Sequence, residues 1–511
     1  PPPHVTVQIP VYNEGRVAVG ALRAAAALDY PRERLEIQVL DDSTDGTAAL
    51  LAGEVARLRA AGLDVHNLRR SERVGFKAGA LAHGLASARG ELVAIFDADF
   101  RPPADWLRRT VPHFADPGLG ALQTRWEHLN ADRSLITRLQ AFGLDLHFLI
   151  EQPGRSAGGF FLRFNGTAGL WRRRAIEDAG GWQFDTLTED LDLAYRAQMA
   201  GWRVRFDDTV AAPAQLPETI QGLKIQQFRW NKGQAEAMRK LLPQLLRHPL
   251  PWPAKAQAVG HLLNSTIFLI VAATTLLSVP LLAAVHAVPR YAEYFAWIAP
   301  AGLNTVAFGL FYLLAVVRRH PSWPAALARV TLFLPLFVAV VIGISLHNAV
   351  ATVLGLAGVR SPFRRTPKRA LDEPAAPAPT PDDDERASRV SAVLEAAAVP
   401  TFLLGSWLGL RWGIPALVPL HLLAALGFSL VLGFRLRERT PAPDGDRDLR
   451  RSRPAQDRAP EPLRAPTSAP TSAPTRNFAA AASVRSEVAS PPPHHDADAP
   501  LAAGGSRRHP T

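Results

Sequence analysis

No cysteine occurs in the 511 residues, which excludes a disulfide framework, a thiol nucleophile and any thiolate-held zinc or iron–sulfur centre. Lysine is scarce as well. Only six of the 57 basic residues are Lys, so the net charge of +11 rests on arginine, and Arg-rich composition is its plainest source. The signatures GxxxxGK[ST], GxGxxG after a strand, HExxH and GxSxG are all missing. Kinase-like, dinucleotide-binding, zinc-protease and hydrolase readings therefore lack support. The first half has no Lys/Arg stripe with interleaved aromatics, so no nucleic-acid partner is expected. What the chain does have is proline: 44 of them, above the roughly 5% of ordinary proteins, which points to a disordered segment. A mean hydropathy of +0.01 conceals a polar half and an apolar half. The length suggests about three domain-sized pieces. The first residue is Pro1, not Met, so a truncated or processed chain is expected and an upstream membrane helix stays open.

Residues 1–250 alternate short apolar runs, 5–11, 35–40 and 92–96, with Ala/Leu/Arg stretches at helical spacing over 17–28 and 47–61. This pattern predicts an α/β domain with a mostly parallel, buried sheet. Functional residues of such sheets gather at the carboxyl ends of the strands. Polar clusters follow all three runs.

From 251 to 434 the composition turns apolar. Stretches 263–285 and 295–317 lack charges for over 20 residues, the length needed to cross about 30 Å of hydrocarbon as a helix. Stretches 396–410 and 414–434 supply two more spans. The stretch 329–356 is different, because residues 318–369 hold eight Lys and Arg and no acid. Cytoplasmic segments collect such charge. The expectation is an interfacial helix, or a re-entrant pair broken near His347–Asn348, leaving four crossings. The loop 372–385 is acidic and Pro-rich. The tail 435–511, with APTSAPTSAPT, has no apolar periodicity and is expected to be disordered.

Several clusters could carry chemistry. PVYNE (10–14) reads as a strand-ending turn if taken alone, and DDSTDG (41–46) as a helix N-cap. The third run ends in Asp97-Ala98-Asp99. Carboxylates at i and i+2 of an extended segment face the same side and can share a divalent cation. Their hard oxygens suit Mg²⁺ or Mn²⁺. Thr188-Glu189-Asp190 opens a helix, and here two roles compete: N-terminal capping and a general base for an acceptor hydroxyl. Gln226-Gln227-Phe228-Arg229-Trp230 precedes the membrane region, where an Arg-Trp pair also serves as an interface anchor. Lys77 lies between two glycines, which suits close approach to phosphate.

Taken in order, PVYNE, DDSTD, GFKAGAL, FDADF, FNGTAGLWRR, TEDLDLAYR and QQFRW, followed by apolar helices, resemble the processive family 2 glycosyltransferases. The pattern is that of cellulose synthase-like proteins, above all the mannan and glucomannan synthase-like branch. The resemblance covers about residues 4–434. SPFRRTPK (361–368) is similar to the family's gating loop, and Phe164-Asn165-Gly166-Thr167 stands where cellulose synthases proper carry a cysteine motif. The tail has no barrel-like pattern, so regulation by a c-di-GMP-binding module is not expected.

The resemblance implies a GT-A-type nucleotide-sugar-binding domain. Tyr12, Glu14 and Asp42, with Asp41, would hold base and ribose, and Asp42 would stand with Asp190 in the catalytic set. Lys77 would help hold the nucleotide, and Asp97 and Asp99 would bind it through Mg²⁺ or Mn²⁺. Asp190 would be the base, and Gln226, Arg229 and Trp230 would contact the diphosphate and acceptor. Trp126, Glu189, Phe363, Arg365, Thr366 and Lys368 would line the acceptor and gating side. The expected partners are a UDP- or GDP-hexose, a growing glycan or lipid acceptor, and the bilayer. The expected place is the plasma membrane, multi-pass, with the catalytic domain cytoplasmic. The expected activity is inverting transfer that extends a β-linked, 1,4-type polysaccharide and translocates it. The alternatives are a single-transfer glycolipid synthase and a non-catalytic membrane scaffold.

Overall fold

The computed structural model describes residues 1–291, 293, 302–320, 322–361, 364–368 and 385–439. Buried Val/Ile-rich runs form the centre of a seven-stranded sheet: β1 (Val5–Val11), β2 (Leu35–Asp41), β3 (Asp64–Leu68), β4 (Leu92–Ile95), β5 (Leu119–His128), β6 (Gly169–Arg172) and β7 (Arg203–Ala214). Their order is β3-β2-β1-β4-β6-β5-β7. Only β6 runs against its neighbours; the pairs β1–β2, β1–β4, β2–β3 and β5–β7 are parallel. The mostly parallel sheet expected from the sequence is present, and four strands beyond the three expected complete it.

Helices cover both faces, as a sheet of continuous apolar strands requires. On one face α1 (Gly15–Ala26) and α2 (Thr47–Ala60) set Ala18, Leu22, Leu51 and Val55 against Val7, Ile9 and Ile37. The short helix α4 (Trp106–Thr110) adds Trp106 to the same core. On the other face lie α3 (Phe76–Ser87), α7 (Arg173–Asp178) and α8 (Glu189–Met199), which contribute Leu81, Ile176 and Leu193. Gly84 lets α3 close on the strands, because a Cβ there would sit 2.6 Å from Leu40 and 2.7 Å from Gln8. Two polar pairs cross the core in register. Thr6 Oγ1 donates to Glu36 Oε2 at 2.6 Å and Gln8 Nε2 to Gln38 Oε1 at 3.0 Å, giving buried polar groups partners. β1 lies between β2 and β4, so a crevice opens beyond the carboxyl ends of these three strands.

Helices α5 (Leu135–Leu146) and α6 (Gln152–Ala157) lead toward α9 (Ile220–Arg247), the long helix carrying QQFRW. Beyond it come α10 (Trp252–Leu262), α11 (Ile267–Ala287), α12 (Gly302–Arg319), α13 (Trp323–Leu356), α14 (Glu385–Arg411) and α15 (Val418–Arg439). Among the described residues, four helical segments are long and apolar enough to cross a membrane: 252–287, 323–356, 391–411 and 415–438. The span read from sequence at 263–285 falls in the first, that at 396–410 falls in the third, and that at 414–434 overlaps the fourth from 415 onward. The one at 295–317 begins outside the described residues, where most of the acidic loop and the tail from 440 onward also lie; residues 435–439, expected to open the disordered tail, instead continue helix α15, held there by the Arg435–Glu395 pair.

The stretch 329–356 corrects one expectation. It belongs to a single uninterrupted helix, α13, with no break at His347–Asn348. His347 marks a helix contact instead, its Nε2 lying 3.0 Å from the carbonyl oxygen of Lys224 on α9. At 1.5 Å per residue the 34 residues of α13 span about 51 Å, more than the roughly 30 Å of a hydrocarbon core. Two of the flanking charges are paired with the soluble half: Arg318 donates to the Leu149 carbonyl and pairs with Asp208, each at 2.5 Å, while Arg319 pairs with Asp145 at 3.1 Å and with Glu127. The change of composition at 250 is not a break in packing, because residues 1–442 form one unit. At the meeting point of α9, α14 and α15, one oxygen of Glu395 receives Lys224, Ser391 at 2.9 Å and Arg435 at 3.1 Å.

Candidate active site

The loops leaving β1 and β2 are stitched together by their own polar side chains. Asn13 adopts φ +55°, a conformation Asn tolerates better than most residues. Its amide N–H donates to Ser43 Oγ at 2.9 Å, and its Oδ1 accepts from Thr44 N at 2.8 Å. Tyr12 and Glu14 thereby line the crevice. Asp41 and Asp42 part company. Asp41 is 1% exposed and is held by Ser43 N at 2.9 Å and Arg69 at 2.6 Å, away from the cleft. Asp42 lines the cleft and is gripped on both oxygens by Arg70. Arg73 stacks 3.4 Å above the Tyr12 ring. Arg70 and Arg73 were not among the residues expected from the sequence, and no spacing rule singles out these two arginines among so many.

Beyond β4, Asp97 meets Lys77 Nζ at 2.5 Å, and Lys77 also donates to the Gly166 carbonyl at 2.8 Å. Asp99 accepts from Gln215 N at 3.3 Å and pairs with Lys368. Arg365 lies 3.6 Å from Glu14, so the segment 364–368 closes over the cleft, where Thr366 also lies. Phe363 lies outside the described residues.

Glu189 and Asp190 open α8. Asp190 Oδ1 accepts from Leu191 N at 2.8 Å, while Oδ2 faces Gly166. That glycine has φ +79°, and a Cβ on it would come within 2.8 Å of Asp190 Oδ2. Only glycine keeps this oxygen open. From α9, Gln226, Arg229 and Trp230 complete the far wall. Trp126 on β5 stands 6.4 Å from Trp230, 5.5 Å from Phe100 and 5.2 Å from Phe148 between ring centroids. These rings form an aromatic floor that can receive the apolar face of a sugar. His128 and Gln215 also line the cleft without a signal in the sequence, and so does Asn165 of the FNGT motif. Of the seventeen residues expected at the site, fifteen meet in this one crevice, and Asp41 and Phe363 are the exceptions.

The charges are crowded, and Asp99 and Glu189 are buried. Burial pushes the Glu14 carboxyl up to about 7 against the pull of Arg365 and Lys368. Burial, with Asp190 alongside, pushes Glu189 up to about 7 as well. Asp190 is raised by burial despite Lys77. For Lys77, burial works against the charge, but Asp97, Glu189 and Asp190 outweigh it and raise its pKa. Burial lowers that of Arg229 in spite of the same carboxylates. Asp97 and Asp99 offer hard oxygen donors that fit Mg²⁺ or Mn²⁺. Among the described residues no group of three His, Cys, Asp or Glu is placed to hold a metal, so the other positions around such an ion fall to water and phosphate oxygens.

Residues 1–233 match the family model described as Glycosyltransferase like family 2. Among curated proteins it is similar to glucomannan 4-beta-mannosyltransferase 2 of Arabidopsis thaliana, with 43% identity over 251 residues, 48% of this chain and 47% of that protein. It is 42% identical over 251 residues to the probable glucomannan 4-beta-mannosyltransferase 11 of the same plant, 48% of this chain and 57% of that protein. The chain spans about half the length of the curated relatives it matches. Among solved structures it resembles mannosyltransferase PcManGT from Pyrobaculum calidifontis in complex with GDP-Man and Mn2+, with 24% identity, a TM-score of 0.46, and coverage of 70% of this chain and 89% of that one.

Proposed function

We propose that this protein is a membrane-embedded inverting β-glycosyltransferase that takes a nucleoside diphosphate hexose and extends a β-1,4-linked polysaccharide, passing the product toward the helices beyond α9. The observation that carries this reading is the meeting of Asp97, Asp99, Asp190 and Arg229 in one buried cleft above an aromatic floor. The relatives' names favour mannose as the transferred sugar. The four long apolar helices support a membrane location, and the plasma membrane with a cytoplasmic catalytic cleft is the arrangement proposed.

Tyr12, Arg73 and Asp42 stand where a base and ribose would lie. Arg229 and Lys77 neutralise charge that develops on the departing diphosphate. Asp97 and Asp99 would hold the divalent cation, which supplies Lewis-acid stabilisation of the same leaving group when bound. Trp126 and Trp230 orient the acceptor sugar. Asp190, with Oδ2 open beside Gly166, takes the proton of the acceptor hydroxyl, and attack opposite the leaving group inverts the anomeric carbon to β.

Membranes containing the protein, supplied in turn with labelled GDP-mannose, UDP-glucose and UDP-N-acetylglucosamine, test the reading. The expected result is polymer from GDP-mannose that a β-1,4-mannan-specific hydrolase degrades. Label confined to small glycolipid, or no incorporation from any donor, would overturn it.

A further inference from the structure

Behind Trp230 the catalytic cleft adjoins a second cavity of about 180 Å³. Leu144, Gln226 and Trp230 line both, so the two are contiguous at the acceptor end. The character changes abruptly there. The second cavity is walled by hydrocarbon, chiefly Leu139, Leu223, Phe268, Phe337, Val340 and Ile344, and no charged side chain lines it. Of its amides, Gln140 is already committed, donating to the carbonyls of Ile136 at 3.1 Å and Pro217 at 2.8 Å. Phe268 comes from the segment 252–287 and Phe337 to Ile344 from α13, both long and apolar enough to cross a membrane.

A hexose turns hydroxyls in every direction, and this wall would leave most of them without partners. A hydrocarbon chain suffers no such loss, and each buried methylene strengthens binding about fourfold. The size is sufficient, since a dry apolar cavity of roughly 150 Å³ already accommodates benzene. We propose that this cavity is a tail subsite for an acceptor that carries an alkyl or isoprenoid chain, so that synthesis begins on a lipid-linked sugar. The proposal rests on the reading of the neighbouring cleft as a sugar-transfer site. In that first step the acceptor hydroxyl oxygen bonds to the donor's anomeric carbon and its proton passes to Asp190. The bond from that carbon to the diphosphate oxygen breaks, releasing the nucleoside diphosphate.

The test uses the full chain in nanodiscs with two acceptors, methyl and octyl β-mannoside, and a diazirine-tagged octyl mannoside as photoprobe. The octyl acceptor should show a KM lower by roughly 50-fold, about what three buried methylenes give. The probe should label the peptide 337–344. Val341→Trp, which fills the cavity from a residue that lines it and not the catalytic cleft, should abolish both the octyl advantage and the labelling while leaving donor hydrolysis unchanged. Equal KM values, labelling scattered over other helices, or an octyl advantage that survives Val341→Trp would overturn the proposal. Labelling at 337–344 without hydrolysis of any donor would uphold the tail site and refute the transfer reading.

Discussion

At the junction of α9, α14 and α15, a single oxygen of Glu395 collects Lys224, Ser391 and Arg435, and that buried charge is matched by cations on the spot. In the catalytic cleft the same kind of group is treated differently. Glu14, Asp97, Asp99, Glu189 and Asp190 crowd together, and burial leaves Glu14 and Glu189 with carboxyls pushed up to about 7. The junction has its charges balanced by its own residues, whereas the cleft is balanced only in part. Lys77, Arg365 and Lys368 sit on the cleft's carboxylates as exchangeable counter-charges. The contrast separates charge buried to fix helices from charge buried to receive a substrate.

Four perturbations sharpen or break that contrast. The largest effect is expected from stripping divalent cations. Turnover should fall to background in excess chelator and return with Mn²⁺ or Mg²⁺, while the melting temperature barely moves; full activity in chelator would remove the cation from Asp97 and Asp99. Glu395→Leu should do the reverse. It leaves Lys224 and Arg435 buried without their carboxylate, a change that costs about 3–5 kcal/mol, read as a lower denaturation midpoint with kcat per folded molecule within a few-fold. Unchanged stability with lost kcat would move the junction into the catalytic machinery.

Gly166→Ala forces a side chain into a left-handed backbone and against Asp190 Oδ2. A displaced base of this kind should reduce kcat by roughly 100-fold with little change in melting; an unchanged rate would show that Asp190 needs no clearance there. The mildest perturbation is pH. A base must be ionised to accept a proton, and burial raises both Asp190 and Glu189, the latter to about 7. The acid limb of the kcat/KM profile should therefore lie above the ordinary carboxylate range, with activity falling as pH drops through it and approaching tenfold per unit. A limb near 4 would indicate an acidic group in ordinary surroundings.

The parts legible in the sequence are those where one physical signal dominates. β1, β2 and β4 announce themselves as buried apolar runs ending in acidic clusters. β3 reads DVHNL and lies at the sheet edge, where it needs no continuous apolar pattern, and β5 and β7 carry irregular register that blurs any period. Asp41 and Asp42 are adjacent on an extended chain, so their side chains point to opposite faces. One reaches Arg69 below and the other the cleft. The partners Arg70 and Arg73 come from the β3–α3 connection, and their role depends on where that loop folds back. The break expected at His347–Asn348 is absent because the His347 ring meets the Lys224 carbonyl of α9 within a continuous helix.

The central claim is that Asp190 is the base of a sugar-transfer site and not the cap of a helix. The most direct measurement compares wild type and Asp190→Asn in the same membranes, following nucleotide binding and sugar transfer from labelled GDP-mannose side by side. Binding within about twofold of wild type, with transfer reduced by about 10²–10⁴, is the predicted result. Equal loss of binding and transfer, or transfer that survives, would contradict it.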